Sequence, residues 1–277
     1  MLSDDFAFLA RLVRRRGGLS LGPEKADWAA RRLEPVMRRF DFRAVAELMA
    51  ELRLGRPALA EAVTEAMTVN DTSFFRDADL FARFRDRVLP RLLMARSHEK
   101  RLRIWSAACA TGQEAWSIAI LLSELGLARN GWSIDLIATD LSGAAIARAE
   151  AGRYAPVEIA RGLDGHALRY LRAEHPAGGG AEWLVDEALR RMVSFRRFNL
   201  LDSFGWLDEI DIVFCRNVLM YFDPATRADL LARLGEVVAA DGALLLGETE
   251  AAAAPFAAGP DGPGIYIKAR PALLRAV

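Results

Sequence analysis

The apolar run Asp211-Ile212-Val213-Phe214-Cys215 stops abruptly in Arg216-Asn217 and resumes in a short segment carrying Tyr221. A buried parallel strand is a short continuous run of this kind ended by a break. In open α/β sheets, ligands sit outside the carboxyl ends of such strands. Arg216 and Asn217 stand where a polar ligand would be gripped; alternatively, Asn217 caps the next helical turn and Arg216 forms a surface ion pair. Three other strand ends offer polar groups. Ser106-Ala107-Ala108-Cys109-Ala110-Thr111-Gly112-Gln113-Glu114 follows an apolar strand, and its small residues allow a tight turn and close backbone approach to a ligand. It lacks the G-x-G-x-x-G pattern that cradles a pyrophosphate, which favours a nucleoside without phosphates. Asp140 ends the run Ala138-Thr139-Asp140, where nucleotide folds bind ribose hydroxyls; it would equally suit the N-cap of the following helix. Asn199-Leu200-Leu201-Asp202 is either a further strand-end site or an ordinary turn. Asn70-Asp71-Thr72-Ser73-Phe74-Phe75-Arg76 gathers small polar side chains, two phenylalanines and an arginine, and reads by itself as a capped helix start.

Positioning these segments requires strands alternating with helices, and from about residue 100 the sequence supplies them. Strands are expected at Arg103–Ala108, Trp132–Thr139, Val193–Phe195, Asp211–Phe214 and Ala243–Leu246, with helices at Glu114–Leu125, Ser142–Ala151 and Pro224–Val238. This βαβα order predicts a mainly parallel sheet covered by helices on both faces. Residues 3 to about 67 instead show helical spacing, with Phe6, Leu9, Leu12 and Val13 on one face and Val45, Leu48, Met49 and Leu52 on another. Gly178-Gly179-Gly180 before Glu182-Trp183-Leu184-Val185 reads as a turn feeding a short strand in an inserted appendage.

The chain has 277 residues, 37 basic against 37 acidic, and 52% hydrophobic composition. That is ordinary for a globular protein, and the zero net charge argues against a nucleic-acid role. No stretch approaches the ~20 apolar residues that cross a bilayer, and the acidic start Met1-Leu2-Ser3-Asp4-Asp5 does not resemble a secretion signal. A cytoplasmic location without membrane insertion is expected. Cys109 and Cys215 make neither a disulfide framework nor a zinc site, so no metal is expected, and His98, His166 and His175 read as surface residues. Residues 1 to 60 carry twelve Lys/Arg against eight Asp/Glu, a mildly basic face that is either simply solvated or a docking surface for an acidic partner.

Five motifs, Asn-x-Thr-x-Phe-Phe-Arg, Ser-Ala-x-Cys-x-Thr-Gly-x-Glu, Ala-Thr-Asp, Asn-Leu-Leu and Phe-Cys-Arg-Asn-Val-x-x-Tyr-Phe-Asp, occur here in the order found in the chemotaxis receptor methyltransferases, the CheR family. The opening Leu2 to Leu33 and the stretch from Asp241-Gly242 to Glu250 resemble the same family, so nearly the whole chain to about residue 250 is covered. The resemblance implies a Rossmann-like, doubly wound α/β methyltransferase sheet with a small N-terminal all-helical domain and a small antiparallel β appendage. The implied domains are 1–68, for receptor docking, and 69–277, for catalysis, with a linker at 69–76 and the appendage at 170–195. The implied cofactor is S-adenosyl-L-methionine, giving S-adenosyl-L-homocysteine, held by Asn70, Thr72, Arg76, Glu114, Asp140, Asn199, Leu200, Arg216 and Asn217. Arg76 and Tyr221 are the expected catalytic residues. The implied reaction is methyl transfer to glutamates on the cytoplasmic helical domains of chemoreceptors, and a monomer is expected. In some members the appendage binds a receptor's carboxyl-terminal peptide. Two departures stand out: Ala108 where many members have glycine, which would weaken cofactor affinity, and Gln113-Glu114-Ala115-Trp116 where Glu-Glu-Pro-Tyr is usual. The competing expectations are a non-catalytic S-adenosylmethionine or S-adenosylhomocysteine sensor and a methyltransferase for another signalling protein.

Overall fold

Continuous burial along the apolar runs, with successive side chains on opposite faces, produces two cores on the two faces of one sheet. In the computed structural model, which describes residues 1–163, 165–175 and 180–269, Ile104, Ile212 and Phe214 pack on one face with Phe84 and Trp116. Trp105, Val213 and Leu244 pack on the other with Leu230 and Leu234. Successive strand side chains point to opposite faces, so continuous apolar runs are what a doubly covered sheet requires.

The chain begins with four helices, α1 (Ser3–Gly17), α2 (Ala26–Arg39), α3 (Val45–Arg53) and α4 (Pro57–Ala66). They enclose a separate core that includes Phe6, Leu9, Val13, Leu33, Leu48 and Met49. α5 (Ala78–Arg83), a π-helical turn at Phe84–Val88 and α6 (Leu89–Ala95) then lead to β1 (Arg101–Ala107). There follow α7 (Gln113–Glu124), β2 (Ser133–Asp140), α8 (Gly143–Ala151), β3 (Arg153–Tyr154), α9 (Pro156–Ala160), β4 (Leu171–Glu174), β5 (Glu182–Val185), α10 (Glu187–Arg190) and β6 (Val193–Arg197). The chain continues through β7 (Ile210–Phe214), α11 (Pro224–Val237), β8 (Val238–Leu245), β9 (Phe256–Ala258) and β10 (Ile265–Lys268).

The main sheet has seven strands in the order β6-β2-β1-β7-β8-β10-β9. Pairing is parallel from β6 to β8, and β10 runs antiparallel to both β8 and β9. The strand order therefore reverses between β1 and β7, the topological switch point where open sheets bind ligands. The sequence expectation missed β9 and β10. It also placed the appendage at 170–195, whereas the small antiparallel sheet β3-β5-β4 recruits Arg153–Tyr154 and Val193 already belongs to the main sheet. The expected turn at Gly178-Gly179 lies outside the described residues. His98, His166 and His175 are exposed, and both cysteines are buried. Among the described residues no helix is long and apolar enough to cross a membrane, and no group of metal-ligating side chains gathers.

The helical module is fastened onto the sheet at its ligand-binding edge. α1 ends at Gly18, whose φ of +73° is left-handed and whose N–H closes the helix on Arg14. A Cβ there would lie 2.8 Å from the Phe222 ring, so glycine is required twice over. Leu19 then pairs antiparallel with Phe222, Ser20 N–H donates to the Tyr221 carbonyl at 2.7 Å, and Arg14 pairs with Asp223 at 3.0 Å. From α4, Glu65 accepts from Ser142 Oγ and from the Ala144 N–H at the start of α8.

Candidate active site

A pocket partly open to solvent lies outside the carboxyl ends of β1, β2, β6 and β7. All ten residues singled out from the sequence line it: Asn70, Thr72, Arg76, Glu114, Asp140, Asn199, Leu200, Arg216, Asn217 and Tyr221. The wall also includes Gly17 and Leu19 from the helical module, which strand-end reasoning had no means to find, and Leu141, Phe198 and Phe222 as apolar surface.

The turn after β1 is held in unusual backbone geometry. Ala108 and Cys109 both donate to the Thr139 carbonyl at 2.8 Å, and Ala110 donates to Asp140 Oδ2 at 2.9 Å. Ala108 has φ +83° and Ala110 φ +49°. An L-residue in left-handed backbone costs roughly 1–2 kcal/mol, partly offset by the greater unfolded-state entropy of glycine. Ala108→Gly is accordingly expected to stabilise the protein by about 1 kcal/mol, read from urea unfolding, while tightening cofactor binding. A less stable variant with weaker binding would show that the methyl group is a useful contact.

Asp140 is buried, and its other oxygen accepts from Ser142 N–H at 2.8 Å. The N-cap of α8 is Ser142, whose Oγ accepts from Ala145 N–H, so Asp140 is free of the capping role that the sequence left open. Burial raises the Asp140 pKa above its ordinary 3.8, against the opposing effect of the Ser142 and Ala110 N–H donors. The sign has two consequences. The folded protein holds this proton more tightly than the unfolded chain, so the stability linked to Asp140 is present at low pH and lost as pH rises through the raised pKa. Binding of ribose hydroxyls favours the carboxylate, so cofactor affinity should fall as pH drops from neutrality through that same raised value. Calorimetric titration against pH should show this fall, and Asp140→Asn should weaken binding and flatten the pH dependence. A wild-type affinity constant down to pH 4 would rule it out.

Arg216 is the buried hub. Nη1 donates to Glu114 Oε2 at 2.9 Å, and Nη2 donates to Asp77 Oδ2 at 2.7 Å and to the Arg76 carbonyl. Glu114 Oε1 accepts from Ser106 Oγ at 2.7 Å. The surface ion pair that the sequence allowed for Arg216 is thus a buried one, tying the linker to β1 and β7. Asn217 caps no helix: its φ is +56°, and its N–H donates to Glu250 Oε2 at 2.6 Å. Asn199 donates from Nδ2 to the Arg16 carbonyl at 2.6 Å and accepts from Leu201 N–H, joining the end of α1 to the cavity wall. Asn70, Thr72 and Tyr221 are half-buried at the mouth. Burial raises the Tyr221 pKa against the opposing charge of Arg76, leaving a neutral phenol near pH 7. Cys109 and Cys215 are likewise pushed up by burial, so neither is a ready nucleophile.

Family models match in two consecutive segments: residues 4–68 match "CheR methyltransferase, all-alpha domain", and residues 70–255 match "CheR methyltransferase, SAM binding domain". The chain belongs to the CheR methyltransferase family. This member is similar to "Chemotaxis protein methyltransferase 1" of Pseudomonas aeruginosa, 38% identical over 253 residues that cover 89% of this chain and 90% of the relative. It also resembles "Chemotaxis protein methyltransferase Cher2" of Pseudomonas putida, at 37% with the same coverage, and a "Chemotaxis protein methyltransferase" of Borreliella burgdorferi, at 30% over 89% of this chain and 88% of that one.

The cofactor is S-adenosyl-L-methionine, and the chemistry of the wall fits it. Small residues at 108 and 110 admit a ligand close to the backbone, and Asp140 retains lone pairs for a ribose. Asp71, Glu114 and Asp140 favour a ligand bearing positive charge, while Arg216 Nε is buried without a hydrogen-bond partner.

Proposed function

We propose that this methyltransferase acts in chemotactic adaptation, transferring a methyl group from S-adenosylmethionine to the γ-carboxylate of glutamates on the cytoplasmic helical domains of chemoreceptors. The cofactor supplies an electrophilic methyl group on a sulfonium. In the proposed reaction an acceptor carboxylate oxygen forms the new C–O bond, the sulfur keeps the electrons of the broken S–C bond, and no proton moves. A glutamate with pKa of about 4.3 is already ionised near neutrality. The observation that carries the reading is the mouth itself: Arg76 and Tyr221 stand there, a cation and a neutral donor suited to a carboxylate acceptor. A carboxylate acceptor needs orientation and countercharge; an amine or hydroxyl acceptor would need a base. In this reading Asn70, Thr72, Arg76, Glu114, Asp140, Asn199, Leu200, Arg216 and Asn217 bind the cofactor, with Arg76 and Tyr221 also facing the acceptor, and the protein works as a cytoplasmic monomer.

The helical module is proposed to hold the receptor helix. Arg11, Arg15, Arg31 and Arg43 are exposed on it. Arg32 is otherwise engaged, since it donates to the Thr68 carbonyl and lies over the Trp28 ring, so the docking charge rests on its neighbours. The relatives' names, which describe chemotaxis protein methyltransferases, support the pathway. Incubation of the purified protein with methyl-labelled cofactor and receptor cytoplasmic fragments should yield base-labile methyl esters, with a rate that declines as salt screens the docking charges. Cofactor binding without transfer would make the protein a sensor, and labelling of other signalling proteins alone would redirect the assignment.

A further inference from the structure

One buried carboxylate stands outside the cavity yet is hydrogen-bonded to its wall. Glu250 is 9% exposed and does not line the cavity. Its Oε2 accepts from Asn217 N–H at 2.6 Å and Gly247 N–H at 2.9 Å, and its Oε1 accepts from Met220 N–H at 3.4 Å. Among the described residues it forms no ion pair. A buried charge without a countercharge is costly unless its lone pairs are satisfied, and here they are satisfied only by backbone N–H groups of two loops. The position explains the need. β7 and β8 stay paired as far as the Cys215 N–H to Leu245 carbonyl bond at 2.9 Å, and beyond it Leu246 N–H turns to the Gly264 carbonyl. Glu250 bridges the two segments through the Asn217 and Gly247 N–H groups. Gly247 is part of the device, since a Cβ there would sit 2.6 Å from Asn217 Nδ2 and 2.9 Å from Glu250 Oε2. The turn is closed by Glu250 N–H on the Gly247 carbonyl at 2.9 Å.

We propose that Glu250 is a positioning residue: it fixes Asn217 in its left-handed backbone through one oxygen and the Leu219–Tyr221 turn through the other, and so aims Tyr221 at the acceptor. The proposal rests on the methyl-transfer reading of the cavity. Tyr221 directly follows the anchored Met220 and has its own carbonyl held by Ser20 N–H. The Tyr221 backbone is thereby held on both sides, by the long Met220 contact and by Ser20. Both carboxylate oxygens must accept. A glutamine at 250 can keep its carbonyl oxygen on Asn217 and Gly247, but it turns an amide donor toward the Met220 donor.

The test compares Glu250→Gln with Glu250→Ala, alone and combined with Tyr221→Ala. Glu250→Gln is expected to bind S-adenosylhomocysteine within about threefold of the wild type while kcat for receptor fragments falls by about 10²-fold, the loss associated with a 1 Å misplacement. Tyr221→Ala should then cost much less in the Glu250→Gln background than in the wild type, since contacting groups acting as a unit are not additive. Glu250→Ala, which also releases Asn217, should weaken S-adenosylhomocysteine binding at least about tenfold. An unchanged kcat in Glu250→Gln would overturn the proposal. So would equal losses of kcat and affinity with additive effects of the two substitutions, or a Tyr221→Ala protein as fast as wild type. If the wild-type protein forms no methyl ester on receptor fragments, the functional reading fails instead, and the S-adenosylhomocysteine affinity of Glu250→Ala still decides whether Glu250 holds Asn217.

Discussion

Arg216→Met is expected to lower the unfolding free energy by about 3 kcal/mol and to abolish measurable cofactor binding. Removing one partner of a buried ion pair typically costs 3–5 kcal/mol, because the other charge stays behind without compensation. Here two carboxylates are left: the side chains of Arg216, Glu114 and Asp77 are 2%, 10% and 22% exposed. The partial exposure of Asp77 allows solvent to screen it, which places the expectation at the low end of the range. The same guanidinium also holds the Arg76 carbonyl, so its loss frees the linker beside the cavity as well as the Glu114 carboxylate in the wall. Arg216→Lys separates the two effects. A lysine retains the charge but presents one compact head rather than a planar fork, so it should recover part of the stability while leaving cofactor binding impaired. Denaturant melts within about 1 kcal/mol of the wild type for Arg216→Met would show that the network contributes little.

The geometry explains why some of this architecture was legible in the sequence. Strands β1, β2 and β7 are apolar runs because both faces of the sheet are covered, and each is followed by residues that must turn and meet a ligand. The period and the break were both visible. β9 and β10 were not found: Phe256-Ala257-Ala258 sits among alanine, glycine and proline with no alternation, and its strand state comes from pairing with Ile265–Lys268 rather than from local propensity. Val238–Asp241 gave no strand signal for a related reason. The β7–β8 register shifts between Ile210 and Ile212 at that irregular stretch, so the pattern is broken where the strand begins. Strand-end logic could locate Asp140 and Arg216, but it could not foresee that Arg216 is consumed by Glu114 and Asp77, since Asp77 is far away in sequence and itself adopts a φ of +61°. Gly17 and Leu19 lay outside the same logic because they reach the cavity from another set of helices. A hint existed in Gly17-Gly18, a glycine pair closing an amphipathic helix, yet only the packed structure puts Phe222 against it.

Arg76→Ala should lower kcat for receptor methylation by about 10²-fold or more while changing S-adenosylhomocysteine affinity by less than about tenfold. The argument is one of charge. An acceptor glutamate must bring a carboxylate to a cavity lined by Asp71, Glu114 and Asp140. Of the two arginines in the wall, Arg216 is already neutralised by Glu114 and Asp77. Arg76 gives one hydrogen bond to the Asp71 carbonyl at 3.0 Å, which braces its guanidinium across the linker, and among the described residues it makes no ion pair. Its charge is available to the incoming carboxylate. Arg76 also opposes the burial that raises the Tyr221 pKa, placing guanidinium and phenol in one electrostatic environment. Because that phenol stays protonated, it can donate to the carboxylate without adding a second negative charge. Arg76→Lys should therefore keep the attraction but lose the planar orientation, giving an intermediate kcat, and Tyr221→Phe should cost less than Arg76→Ala because it removes a neutral donor. If Arg76→Ala transferred methyl groups at the wild-type rate with cofactor affinity intact, the acceptor carboxylate would have to be neutralised by a cation of the receptor helix itself, and the mouth would only shape its approach.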